Sequence, residues 1–224
     1  MTYQEPKYPL FVDIDGAGAT VIGAGQVAER KIETLLHYGA RVRVISLSAT
    51  PGIKQLAQEG KVDLSLRAYR PGDLKDAFLV ICATDDREVN ERVFKEAQSL
   101  NILVNVVDVP ELCNFYVPSI VKRGPLQIAI STSGAAPTVA KRLRKELSEH
   151  YGPEWGTYVS LLGEVRSLVL ARVPGGEEEH KPLFTALAKS DLYDHIASGE
   201  LFSADQAYDT YIVPLLDARE GDLA

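Results

Sequence analysis

Gly23-Ala24-Gly25-Gln26-Val27-Ala28 has the spacing G-x-G-x-x-A, which suits the binding of a dinucleotide pyrophosphate. The first glycine permits a tight turn out of a strand. The second leaves the backbone open to a phosphate. Ala28 is small enough for the following helix to pack on a sheet. The N–H groups near Gln26 and Val27 then face the phosphates, with the positive end of the helix dipole behind them. Two other polar clusters end apolar runs: Ala83-Thr84-Asp85-Asp86 and Asn105-Val106-Val107-Asp108. In the first, Thr84 is best placed to touch a cofactor, while Asp85 and Asp86 suit a cap on the helix starting near Arg87. Asp108 precedes Val109-Pro110, which disfavours an immediate helix. It is the candidate acid–base group, with loop capping as the plainer alternative.

Other chemistry finds less support. His37, His150, His180 and His195 are scattered and suit surface or packing roles, so no resident metal site is expected. The two cysteines, Cys82 and Cys113, make neither a disulfide framework nor a Cys-rich zinc site. Cys82 falls in a buried run and Cys113 in a loop, so neither suits a nucleophile.

The elements that must position these residues follow from periodicity. Leu10-Phe11-Val12 and Thr20-Val21-Ile22 read as two strands linked by the turn-rich 13–18 stretch. Val27, Ala28, Ile32, Leu35 and Leu36 recur at helical spacing, and Gly39 stops the helix. Strands are expected at 41–45, 62–66, 78–83 and 102–107, with helices at 53–59 and 87–100. This alternation predicts an α/β fold, a Rossmann-type doubly wound parallel sheet. Residues 115–121 and 126–130 then read as a strand pair joined by Lys122-Arg123-Gly124-Pro125. Pro137 opens a helix running to about His150. Helices alone follow, at 155–173, 182–189, 192–198 and 204–211, with Pro174-Gly175-Gly176-Glu177-Glu178-Glu179 as a mobile loop. The expected organisation is a nucleotide-binding domain over 1–113, a small α+β dimerisation and substrate region over 114–150, and a C-terminal helical domain over 151–224.

Composition narrows the class. The 224 residues carry 24 Lys plus Arg against 31 Asp plus Glu, a net charge of −7, which argues against a general nucleic-acid binder. No apolar run approaches the ~20 residues of a membrane helix. The first residues lack a secretory pattern. A cytoplasmic protein is the expectation.

Taken in order, these segments resemble the precorrin-2 dehydrogenase family, also called the siroheme synthase N-terminal module. The resemblance rests on Tyr8-Pro9-Leu10-Phe11-Val12, the stretch from Val21 to Lys31, Ala83-Thr84-Asp85-Asp86, Asn105-Val106-Val107-Asp108, Phe115-Tyr116-Val117-Pro118-Ser119-Ile120-Val121 and Ile130-Ser131-Thr132-Ser133-Gly134-Ala135-Ala136-Pro137. It covers residues 8 to about 147. It implies NAD as cofactor, precorrin-2 as substrate, sirohydrochlorin as product, and a homodimer. It also implies that some members insert Fe²⁺ to give siroheme. By motif match Asp108 is the functional aspartate, and Gln26, Val27, Leu47 and Ser48 contact NAD. Thr132 falls where some relatives carry a serine.

Gly23, Ala24, Ser46 and Thr84 complete the candidate cofactor set. The second strand ends at Ser46 rather than at the Asp or Glu that often binds the NAD ribose, and Arg41 and Arg43 lie early on that strand. NAD versus NADP therefore stays open on the residues alone. Precorrin-2 carries many carboxylates, so a basic substrate site is expected. Lys141 and Arg142, with Arg144 and Lys145 on the same helix, are candidates, beside Asn105, Ser131 and Thr132; a solvated helix face is the plainer reading of the cations. Three functions fit: the NAD-dependent dehydrogenase, a bifunctional dehydrogenase and ferrochelatase, and a non-catalytic NAD(H)-sensing module.

Overall fold

The computed structural model describes residues 7–221. It divides into two compact units between Val117 and Pro118. The first unit is built on five parallel strands: β1 (Gly18–Ile22), β2 (Arg41–Ser46), β3 (Val62–Leu66), β4 (Leu79–Cys82) and β5 (Leu103–Val106). Their order is β3-β2-β1-β4-β5, with Ile22 beside Ile45 on one side and Cys82 on the other. The chain winds one way from β1 through β2 to β3, then crosses to β4 on the opposite side. That reversal places a crevice at the C-terminal ends of β1 and β4, where open α/β sheets bind ligands.

Strand alternation explains the two covered faces. Ala19, Val21, Val42, Val44, Leu79 and Ile81 face one way and pack with Ala28, Ile32 and Leu35 of α1 (Gln26–His37) and Ile53 of α2 (Pro51–Gln58). Ile22, Ile45, Val80, Cys82, Val104 and Val106 face the other way, against Val93 and Ala97 of α3 (Arg87–Ser99). Asp86 caps α3 by accepting from the N–H groups of Glu88 and Val89.

The second unit opens with an antiparallel pair, β6 (Ser119–Arg123) and β7 (Leu126–Ile130). Helices α4 (Pro137–His150), α5 (Glu154–Arg172), α6 (Glu177–Lys189), α7 (Leu192–Ala197), α8 (Ala204–Tyr211) and α9 (Val213–Gly221) follow. Tyr158, Leu161, Val165 and Val169 form one stripe of α5 and pack on Leu183, Leu187, Leu192, Ile196 and Tyr208. Arg123 ties the strand pair to the α4–α5 junction, donating to the carbonyls of Tyr151 and Ser148. Among the described residues, no helix is long and apolar enough to cross a membrane.

The structure corrects several local expectations. Residues 10–12 form no strand, and Leu10 and Phe11 are more than half exposed. The link after them does turn, through Gly16 at φ +67°. Residues 115–118 are likewise outside any strand, and the turn between β6 and β7 shrinks to Gly124-Pro125. Gly124 has φ +53°, as a two-residue hairpin turn requires. Glu177, Glu178 and Glu179 are the first turn of α6 rather than a loop, because acidic groups suit the positive end of a helix. Glu179 closes that end by accepting from the Gly176 N–H at 2.7 Å. Pro182 lies inside α6 instead of opening it, and α9 is an additional helix.

Candidate functional site

The strand ladder continues into the loops that leave β1, β4 and β5. The Gly23 N–H donates to Ile45 O, Ala83 N–H to Ile22 O, and Val107 N–H to Cys82 O. These bonds bring the glycine turn, the Thr84 loop and Asp108 side by side at one edge of the sheet. Between them lies a crevice of about 450 Å³, lined by Val27, Ala83, Thr84, Asp85, Asn90 and Asp108 among others.

Gly23 and Gly25 do different work in the turn. Gly23 has φ +97°, and a Cβ there would strike the Ala83 carbonyl. Glycine is therefore demanded by the fold itself. A Cβ on Gly25 would meet nothing within 4 Å. The space in front of Gly25 is open, and no side chain caps the α1 N-terminus. The residues present thus fit a pyrophosphate: an accessible backbone, uncapped helix N–H groups and the helix dipole. Ala28 is fully buried against the sheet.

At the end of β2, Ser46 is half-buried, while Leu47 and Ser48 are exposed beyond it. Arg41 donates to Gly16 O and Arg43 pairs with Asp63 at 3.3 Å, so both early arginines are engaged away from this strand end.

Thr84 is held in place from below. Asn90, only 5 % exposed, donates to the Thr84 carbonyl at 3.1 Å and accepts from the Cys82 thiol at 3.0 Å. Sequence reasoning passed over Asn90. Its signal was a polar residue three before Val93 and seven before Ala97, on the apolar stripe of α3.

Asp108 has φ +61°, a left-handed conformation that aspartate tolerates better than most side chains. Val109 N–H closes the turn onto Val106 O, and the Asp108 side chain is exposed at the crevice. Lys31, one helical turn beyond Val27, is a second residue the sequence reading did not single out. Burial holds its ammonium below the ordinary lysine range; Arg30 pushes the same way, and the Asp108 carboxylate opposes both.

Asn105 sits within β5 and donates to the Phe115 carbonyl at 3.0 Å, bracing the segment that leaves the first unit. In the second unit, Ser131 accepts from the Ser133 N–H and Thr132 from the Ala136 N–H, shaping the turn into α4. On α4, Arg142 pairs with Glu146 and Lys145 with Glu149, while Lys141 makes no ion pair among the described residues. His180 is buried and bonded to Val173 O, and His195 lies between Asp191 and Glu200. Burial pushes the Cys82 thiol up to about 12 and raises that of Cys113.

Sheet order, glycine turn and crevice define the first unit as a Rossmann-type dinucleotide-binding domain. Residues 10–119 match a family described as "Putative NAD(P)-binding", and residues 123–150 match one described as "Sirohaem biosynthesis protein central". Siroheme synthase 1 of Aeromonas salmonicida is 37% identical over 202 residues, which is 90% of this chain and 43% of the relative. A siroheme synthase of Neisseria meningitidis serogroup C is 34% identical over 222 residues, 96% of this chain and 46% of that protein. The chain thus spans less than half the length of these curated relatives. Among solved structures, "SirC, precorrin-2 dehydrogenase" aligns with a TM-score of 0.74 and 26% identity, covering 92% of this chain and 98% of that one. Over residues 10–150 the chain thus carries, in order, a region similar to a family of NAD(P)-binding domains and one similar to the sirohaem biosynthesis central region, and its fold is similar to that of a solved precorrin-2 dehydrogenase.

Proposed function

We propose that this chain binds NAD⁺ across the C-terminal edge of its sheet and oxidises precorrin-2 to sirohydrochlorin. The observation that carries the reading is the crevice itself: the open phosphate turn at Gly25 leads through Val27 to Asp108. Its volume lies within the range of ligand pockets. The likeness to the solved precorrin-2 dehydrogenase supports the choice of reaction.

The residues take definite roles. Gly23 and Ala24 set the turn, and the backbone of Gly25, Gln26 and Val27 holds the pyrophosphate. Ser46, Leu47 and Ser48 meet the adenosine half, and Thr84 the cofactor beyond the crossover. Bound NAD⁺ supplies the hydride acceptor. Asp108 accepts the proton that leaves the macrocycle with the hydride. Lys31 keeps a positive charge near that carboxylate. Ser131, Thr132, Lys141 and Arg142 bind the substrate's carboxylates from the 114–150 region, which also forms the homodimer contact. Asn105 supports this site by fixing the exit segment. The 151–224 helices form a separate functional region, and the protein works in the cytoplasm.

A second reading adds Fe²⁺ as a substrate. It is favoured by the siroheme synthase relatives and by the match over residues 123–150. Asp108 then takes the pyrrole N–H protons displaced by the metal.

The test is incubation with precorrin-2 and NAD⁺, followed by absorbance of NADH and sirohydrochlorin. Sirohydrochlorin and Fe²⁺ without NAD⁺ isolate the second step. Asp108→Ala is expected to fold and bind NAD⁺ but lose turnover by about 10²–10⁴-fold. Wild-type turnover in that variant removes Asp108 from the reaction. NAD⁺ binding without any turnover by the unaltered protein leaves the sensing module as the reading.

A further inference from the structure

A second cleft lies at the other end of the first unit's sheet. It has a volume of about 760 Å³ and is lined by Tyr69, Pro71, Lys75, Arg92, Lys95 and Leu100, among others. Residues 69–75 lead into the N-terminal end of β4, and Leu100 precedes β5. Asp108 follows the C-terminal end of β5. The cleft is therefore no extension of the cofactor crevice.

Its chemistry is built. Tyr69 lies almost fully buried beneath the cleft, and its hydroxyl donates to a Glu96 carboxylate oxygen. The other Glu96 oxygen accepts from the N–H groups of Gly72 and Leu74. Glu96 thus pins the 69–74 loop to α3, with both oxygens occupied. Arg92 places its guanidinium 5.4 Å from the Tyr69 ring centroid. Lys75 and Lys95 are exposed, and neither they nor Arg92 forms a salt bridge among the described residues. Three cations around one internally committed carboxylate make a positive site on a chain of net charge −7. Pro71 and Leu100 add apolar walls, Leu100 being 49 % exposed.

We infer that this cleft binds a planar organic polyanion, its flat apolar body on the Pro71–Leu100 surface beside the Arg92 guanidinium and its anionic groups on Lys75, Arg92 and Lys95. The guanidinium of Arg92, backed by the Tyr69 ring, presents a planar face on which a flat guest stacks, and lysines without a salt bridge favour more than one negative group. Carboxylates on a macrocycle and phosphates on a nucleotide share this chemistry.

The experiment titrates the full chain, saturated with NAD⁺ at low salt, with two probes: uroporphyrin, a porphyrin octacarboxylate, and ATP. Each is read by fluorescence or calorimetry for affinity and number of sites. The compared variants are Lys75→Ala, Lys95→Ala and the triple Lys75→Ala/Arg92→Ala/Lys95→Ala. All alter exposed side chains, and unfolding curves with NAD⁺ affinity verify the fold. The expected result is loss of one class of sites in the triple variant, with affinity there falling roughly tenfold or more. The single variants show smaller losses, and added salt weakens wild-type binding. Loss confined to uroporphyrin assigns a polycarboxylate; loss confined to ATP assigns a nucleotide. Unchanged binding of both probes in the triple variant overturns the inference. Failure of precorrin-2 oxidation does not bear on it, because the cleft shares no lining residue with the crevice beside Asp108.

Discussion

Gly23 and the Ala83 carbonyl are in such close register that a methyl group on Gly23 would lie 2.2 Å from that oxygen. The close approach holds the end of β1 to the end of β4, where the Ala83 N–H donates to Ile22 O. Gly23→Ala is expected to cost about 2–4 kcal/mol, from the clash and the unfavourable φ together. Thermal or denaturant unfolding measures the loss. Gly25→Asp, by contrast, should leave the unfolding transition near that of the wild type. It crowds and repels the pyrophosphate, so NAD⁺ titration should show binding abolished. Unchanged NAD⁺ affinity in Gly25→Asp would remove the assigned phosphate turn.

Asp108 occupies a left-handed backbone position that glycine adopts at lower cost. Asp108→Gly is expected to change stability by less than about 1 kcal/mol, relief of the left-handed strain being offset by the freer unfolded chain, while lowering precorrin-2 oxidation as Asp108→Ala does. Unfolding and turnover measured on the same preparation check the pair. A larger loss of stability would mean that the carboxylate braces the loop, which is the capping alternative.

Asn90 joins the buried Cys82 thiol to the Thr84 carbonyl. Asn90→Ala leaves both groups without this partner and should cost about 1–3 kcal/mol. It should also weaken NAD⁺ binding, since the Thr84 loop loses its support. Stability loss with unaltered NAD⁺ affinity would confine Asn90 to a structural role.

His195 is held above its ordinary value, chiefly by its hydrogen bond to Glu200, with Asp191 adding attraction. A raised folded-state pKa stabilises the fold below the unfolded value of about 6.5, and that contribution fades as pH rises through the folded value. His195→Gln should therefore lower Tm at pH 5–6 more than at pH 8. Equal shifts at both pH values would show that protonation of His195 contributes nothing.

The Cys82 thiol, raised to about 12 by burial, should resist alkylation at pH 8 in the folded protein. Cys113, also raised by burial but only half-buried, should react slowly. Both should label fully in guanidinium, and mass spectrometry of the labelled peptides separates them.

Much of the first unit was legible because its signals are local. Apolar runs such as 79–82, the glycine turn and the helical spacing from Val27 to Leu36 each fix an element from neighbouring residues alone. The helix opened by Pro137 was set by the same kind of signal, since proline fits a first turn. Leu10-Phe11-Val12 misled because an apolar trio has strand character only when a partner strand stands beside it, and here β2 and β4 already flank β1. Glu177, Glu178 and Glu179 looked like a solvated loop because two glycines precede them, yet their charges suit the start of a helix.

The candidate site divided along the same line. Gly23, Gly25, Thr84 and Asp108 could be chosen by type and position in the chain. The meeting of Thr84 and Asp108 with Val27 of the glycine turn at one crevice depended on the crossover from β3 to β4, which sequence periodicity does not encode. Asn90 and Lys31 became visible only when packing showed a buried amide beneath the Thr84 loop and a half-buried ammonium near Asp108. The chain's order of residues set which groups were available and which local turns they make. Folding alone set their distances, because burial and charge coupling arise between residues that are remote in sequence.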